Sequence, residues 1–205
     1  HLYRQILTSV SHLSADIEIQ LSEQLIFARM LYNKGLYMQA LKILEKVKSA
    51  AKNNNQSTYR LQALIFEKKI EAMHITRSIE GRSGNLSNES KEVNKHLFLL
   101  SNLSGFALQL YSWYIQHGHA RNEEDEKAVH DFFYANLPEC DETNMDFYER
   151  LYYYQAYCWY TVILQDLLGY YRYSQKWVDL FEENPAMKNL ESIQFMKGLD
   201  NLLSA

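Results

Sequence analysis

Glycine and proline are both scarce in this chain of 205 residues, at 7 and 2. A fold of many short strands needs turn residues every few positions, so the shortage excludes a turn-rich β architecture and points to long helices. Cysteine is nearly absent too. Cys140 and Cys158 stand alone without disulfide-like spacing, which argues for a reducing, cytoplasmic compartment. No signal peptide is visible, but the chain opens at His1 without Met and closes in the helical pattern Ile193, Met196, Leu199, Leu202, Leu203. It therefore reads as a fragment of something longer. An excess of basic charge is also missing, since the formal net charge is −4. Lys42, Lys46, Lys48 and Lys52 cluster, yet Glu45 interrupts them, and the stretch reads as a solvated outer face. Nucleic acid is thus excluded as a partner of this fragment. The longest uncharged run, Leu97 to Ile115, approaches the roughly 20 apolar residues that cross a bilayer. Ser101, Asn102, Ser104, Gly105, Gln109 and Ser112 break it up, so a buried helix is expected and no membrane span.

Recognisable chemistry is equally thin. There is no phosphate-cradling glycine loop, no serine elbow and no carboxylate pair at a telling spacing. His117-Gly118-His119, with His130 and Asp131 downstream, is the only grouping reminiscent of a metal site, and it lacks the one-turn ligand spacing of a rigid element. Those histidines are expected in an exposed loop. Cys158 falls in the most apolar stretch, where a thiol behaves as a small hydrophobe, and Cys140 has no nameable partner base. Four glycosylation-like triplets, at Asn55, Asn85, Asn88 and Asn102, are what an Asn- and Ser-rich chain holds by chance. No catalytic residue, metal or cofactor is assigned.

What the chain has is helical periodicity and aromatic residues, which make up 14% of it and include 16 tyrosines. Such rings suit a core of large amphipathic side chains and equally a surface that holds peptides. The most informative stretch is Gln24 to Val47. Before Gly35, the residues Ile17, Leu21, Leu25, Ala28, Leu31 and Tyr32 recur at steps of three and four. After it, Tyr37, Ala40, Leu41, Leu44, Val47 and Ala51 do the same. Two amphipathic helices therefore flank a glycine that closes the first in a left-handed conformation, and so short a link makes them antiparallel neighbours.

Along the rest of the chain, Leu2 to Leu13 reads as the second half of a preceding hairpin, with Ser14 capping the next helix. Asn53 to Ser57 is a polar break. Tyr59, Ala63, Phe66, Ile70 and Met73 then mark a helix whose apolar stripe Leu61, Leu64, Ile65, Ala72, Ile75 and Ile79 widen to much of its circumference. Gly81 to Asn88 is expected as a mobile loop, followed by a long helix from Glu89 to about Gln116. Asn122 caps a helix that stops near Pro138. Another begins near Thr143 and runs through Gln165, apolar almost all round between Tyr152 and Tyr160. Gly169-Tyr170 echoes Gly35-Leu36-Tyr37 as a second turn, 134 positions on.

The stretch around Gly35 resembles a tetratricopeptide repeat (TPR), a helical hairpin of about 34 residues. Gly35 matches the family's turn glycine, Tyr37 its following aromatic, Ala40 its small residue in the second helix and Ala28 that of the first. Gln24 stands where the family has tryptophan and Lys52 where it has proline. About 30 residues carry the match. The resemblance implies an all-α solenoid of antiparallel helical hairpins, TPR-like with irregular repeats, forming a single domain over residues 1–205. It further implies a concave groove lined by the first helix of each hairpin, at Leu25, Arg29, Tyr32 and Asn33 in the first and at Trp159, Tyr160 and Ile163 in the last. The family's clamp for a C-terminal carboxylate needs Lys and Asn where this chain has Leu25 and Arg29, so that mode is not implied. The function expected is a non-enzymatic, cytoplasmic scaffold for a protein or peptide partner. Its alternatives are a peptide-sensing module that regulates a separate effector segment and, from another class, an enzyme with a diffuse helical site.

Overall fold

A computed structural model describes residues 16–74 and 82–205. Among them are nine α-helices, one short 3-10 turn and no strand. The helices are α1 (Ile17–Asn33), α2 (Tyr37–Asn53), α3 (Ser57–His74), α4 (Arg82–His117), α5 (Glu123–Asn136), α6 (Phe147–Ile163), α7 (Leu167–Glu183), α8 (Pro185–Leu190) and α9 (Ser192–Ser204). The chain divides into two compact units, His1–Leu97 and Phe98–Ala205, with the boundary inside α4. The all-α expectation holds for the described residues. The stretch expected as a hairpin partner before Ser14, and Ile75 and Ile79 of the third helix, lie outside them.

In the first unit, helices of 17 to 18 residues alternate with three-residue links. Each link is the same hydrogen-bonded device. Gly35 and Asn55 are left-handed, with φ 76° and 57°. The residue after each donates its N–H five positions back, Leu36 to Leu31 O at 3.0 Å and Gln56 to Ala51 O at 2.8 Å. This is a Schellman closure, which satisfies carbonyls that a helix end would otherwise leave bare. The same residue then opens the next helix, as its own carbonyl accepts from Ala40 or Arg60 at 3.0 and 3.1 Å. The α1 to α3 helices therefore begin at Ile17, Tyr37 and Ser57, twenty residues apart, so α3 begins 40 residues after α1 where the resemblance implied a period of about 34.

Packing follows from the small residues on the facing stripes. Ala28, Ala40, Ala51 and Ala63 are all fully buried, together with Leu21, Leu44, Val47 and Ile70. Small side chains at a crossing let two helix backbones approach closely, and the larger aliphatics fill the flanks. Ser22 Oγ and Tyr59 OH, 3.1 Å apart, link α1 to α3 directly. The first part of α4 adds Leu86 and Val93 against Leu64. That segment corrects the expected loop, since the helix starts at Arg82 instead of Glu89. Gly84 within it costs the helix about 1 kcal/mol, but Leu86 is buried and Arg82 bonds two carboxylates of α3. Tertiary contacts outweigh the local preference. Ile65 and Met73 correct the expected stripe in the other direction, being well exposed on α3.

In the second unit α6 and α7 form a hairpin on the same link, with Gln165 left-handed at φ 57° and Asp166 N–H donating to Thr161 O at 2.9 Å. The turn thus falls at Gln165, four residues before the expected Gly169. Gly169 lies instead in the first turn of α7, where its N–H donates to Asp166 Oδ1 at 3.0 Å. A Cβ there would overlap the Asp166 carboxylate and lie 2.7 Å from Thr161 Cγ2, so close approach explains this glycine. Asn122 caps α5 as expected, accepting from Asp125 N–H at 2.8 Å, and Asp146 with Glu149 forms a capping box at α6. Gly198 of α9 lies against the buried ring of Trp177, 2.9 Å from where its Cβ would be. No helix among the described residues is long and apolar enough to cross a membrane.

Two stability measurements check this arrangement. Gly35→Val forces an L-residue into the left-handed region and is expected to cost about 1–2 kcal/mol, whereas Gln165→Gly relieves that strain and raises the melting temperature. Ala40→Leu should lose about 1–3 kcal/mol through overpacking, and the exposed Lys42→Leu far less. Equal denaturant midpoints for the two leucine variants would remove the close crossing.

Candidate functional site

Tyr32 lies at the last turn of α1, and the Gly35 link keeps it beside the start of α2. Its ring meets Tyr37 at 5.5 Å and the edge of Phe66 on α3 at 5.4 Å between centroids. Around this aromatic floor, Arg29 places its guanidinium 6.0 Å from the centre of the Phe66 ring and Lys69 its ammonium 5.2 Å from that of Tyr32. Asn33, Gln62 and Ile65 complete the rim of an open depression of about 460 Å³. Its volume is in the range of sites that take a small ligand or a few residues of a peptide.

Three of the four groove positions expected on the first hairpin, Arg29, Tyr32 and Asn33, are thus brought together. Leu25 packs partly buried against the core of the first unit. The α3 residues Gln62, Ile65, Phe66 and Lys69 were not anticipated. Ile65 and Lys69 share an i, i+4 face with Gln62 one turn before, but Ile65 reads as core when the stripe is drawn too wide.

Two of the three expected positions on the last hairpin are buried. Ile163 is fully buried, and Tyr160 is 7% exposed with its ring stacked on Phe133 at 4.0 Å. The Tyr160 hydroxyl bonds the ring nitrogen of His130. Trp159 is half-buried between Tyr111, at 4.7 Å, and Tyr114, at 5.4 Å, under the ammonium of Lys197 at 5.6 Å. The aromatic run from Tyr152 to Tyr160 is largely core. Burial pushes the phenols of Tyr153, Tyr154, Tyr157 and Tyr160 upward, and carries Tyr173, stacked on Tyr157 at 4.2 Å, to about 12.

The residues that carry reactive chemistry elsewhere are engaged structurally here. His117 bonds Trp113 O at 3.0 Å and His119 bonds Val162 O at 2.8 Å, each satisfying a carbonyl near a helix end. Burial raises the Cys158 thiol to about 12, and Cys140 is also raised, by burial and then by Glu149 and Asp141. Both cysteines are free, and neither is a ready thiolate.

A second depression in the first unit, about 540 Å³, borders a buried ion network. Lys48, expected on a solvated face, is 7% exposed, and its ammonium lies 2.7 Å from Glu67, 2.9 Å from Glu45 and 3.6 Å from Glu89. Arg82 pairs with Glu67 at 3.0 Å and Glu71 at 2.9 Å, and Arg60 with Glu89 at 3.1 Å. Burial alone would lower the Lys48 pKa, but Glu67, Glu45 and Glu89 outweigh it and hold it above 10.5. The stability that the raised lysine pKa contributes is present at neutral pH and is lost as pH rises through that elevated value. Every cation in this network already has its carboxylate. Among the described residues, Arg29 and Lys69 have none within ion-pair distance.

No family model, curated protein or solved structure matches this chain.

The network generates an unequal pair of outcomes. Glu67→Ala removes the buried carboxylate that Lys48 and Arg82 share, leaving Lys48 with Glu45 and Glu89 and Arg82 with Glu71, and is expected to cost about 1–3 kcal/mol. Glu45, whose side chain is 64% exposed, should cost under about 1 kcal/mol when changed to Ala. Chemical denaturation of the two variants checks the ordering.

Proposed function

We propose that this chain is a non-enzymatic scaffold of the TPR-like type that binds a protein or peptide partner in the cytoplasm. The observation that carries the reading is the α1/α3 depression. Exposed Arg29, Asn33, Ile65 and Lys69 surround two aromatic rings on rigid helices held by the core beneath. Arginine and aromatic side chains concentrate binding energy at interfaces, and a site built on helices needs little ordering when a partner arrives. The succession of antiparallel helices on a repeated link supports the solenoid part of the reading. The 40 residues from the start of α1 to that of α3 are longer than the family's period, so the arrangement proposed is an irregular one. Two free cysteines, one deeply buried as a thiol, are consistent with a reducing compartment.

The test is affinity purification of the full-length protein from its native cell, followed by the same capture with Arg29→Ala and Lys69→Ala. Both side chains are exposed, so neither change should move the unfolding midpoint by more than about 0.5 kcal/mol. A partner retained by the parent protein and lost with both variants supports the assignment. A partner retained equally by all three places binding elsewhere, and a bound metal or cofactor turning over substrate would replace the scaffold with an enzyme.

A further inference from the structure

We infer that the α1/α3 depression takes an internal acidic side chain of an extended peptide, with an apolar residue seated next to it. This deepens the scaffold reading and rests on it. The chain itself displays the chemistry that is incomplete here. In the second unit, the Lys176 ammonium lies 5.5 Å from the centre of the Tyr154 ring and 5.8 Å from that of Tyr173. It also bonds both oxygens of Glu142, at 2.8 and 2.9 Å. Lys188 lies 5.1 Å from the Phe195 centroid and 2.6 Å from Glu182. In both places a cation above an aromatic ring is completed by a carboxylate.

Among the described residues, Arg29 and Lys69 have the rings without the carboxylate. Two cations converge on one depression whose described lining holds no acidic residue. A partner carboxylate would complete it as Glu142 completes Lys176, and the planar guanidinium of Arg29 suits two-point recognition of a carboxylate. Lys197 above Trp159 is likewise without a carboxylate among the described residues, but it is a single cation.

The rest of the lining narrows the partner. Asn33 and Gln62 each offer both a donor and an acceptor, which fits the alternating carbonyls and amides of a passing main chain. Ile65, 59% exposed beside the Phe66 ring, offers apolar contact for the neighbouring side chain. With these amides on the rim, the fit is to a chain that continues on both sides, and the acid it delivers is a side chain and not a terminus. Charge complementarity of this exposed kind also raises the association rate and weakens as salt is added.

Display of randomised dodecapeptides between fixed flanks, selected on the 205-residue chain, tests this without a free C-terminus in the library. Sequences enriched in Asp or Glu beside an aliphatic or aromatic residue are expected. Their capped synthetic forms should bind at least about tenfold more weakly to Arg29→Glu/Lys69→Glu, with that variant's unfolding midpoint unchanged. Replacing the acids by Asn and Gln should cause a similar loss. Enrichment without acids, unaffected by the charge reversal, would overturn the acidic assignment while leaving peptide binding in place. Selection yielding no sequence that distinguishes the parent chain from the variant would overturn both it and the groove reading. A gain of binding confined to peptides with a free C-terminus would move recognition to a terminal carboxylate and also overturn the proposal.

Discussion

The structure of the first unit depends on one constraint, the three-residue link in which a left-handed residue ends one helix and the next residue begins another. It leaves no slack. The residue after the left-handed position donates back to the first helix and accepts from the second, so the direction and phase of the two helices are set together. Repeated at Gly35 and Asn55, the link sends α3 back alongside α1 after twenty-residue steps. That return places Phe66 and Lys69 beside Tyr32 and Arg29, which are more than thirty positions away in sequence. The candidate site is a product of the link geometry as much as of the residues that line it.

Charge is handled in two distinct ways. Where three helices meet, Lys48, Arg60 and Arg82 are matched against Glu45, Glu67, Glu71 and Glu89, and the group stabilises through mutual pairing what burial would otherwise penalise. Arg29 of α1 and Lys69 of α3 are exposed and, among the described residues, matched by rings alone. The first arrangement is complete among the described residues; the second is the one proposed to take a partner's carboxylate. In the second unit the aromatic residues serve the fold, through the Phe133, Tyr157, Tyr160 and Tyr173 stacks, with Lys176 and Glu142 closing the edge.

Much of the first hairpin was legible because its signals agree. The stripes through Leu21, Ala28, Ala40, Leu44 and Val47 have a single period, and Gly35 is the residue that a left-handed closure favours. The same closure at Asn55 and Gln165 was hidden, since a non-glycine residue there pays a conformational cost that the flanking hydrogen bonds offset. Gly169 drew attention to the wrong turn because close packing against Thr161 and Asp166 demands glycine for a different reason. The helix from Arg82 and the burial of Lys48 were invisible for a common cause: each depends on charged partners from other helices. Ile65 and Met73 were misread because an apolar residue alone does not reveal whether anything covers it.

The central claim is that the end of α1 and the middle of α3 together form the binding surface. Amide hydrogen exchange across the chain, with and without the tightest capped peptide selected by display, tests it most directly. The account predicts added protection concentrated at residues 29–34 and 62–70, with little change over 147–183. Protection centred on 147–183, or spread evenly over both units, would contradict it.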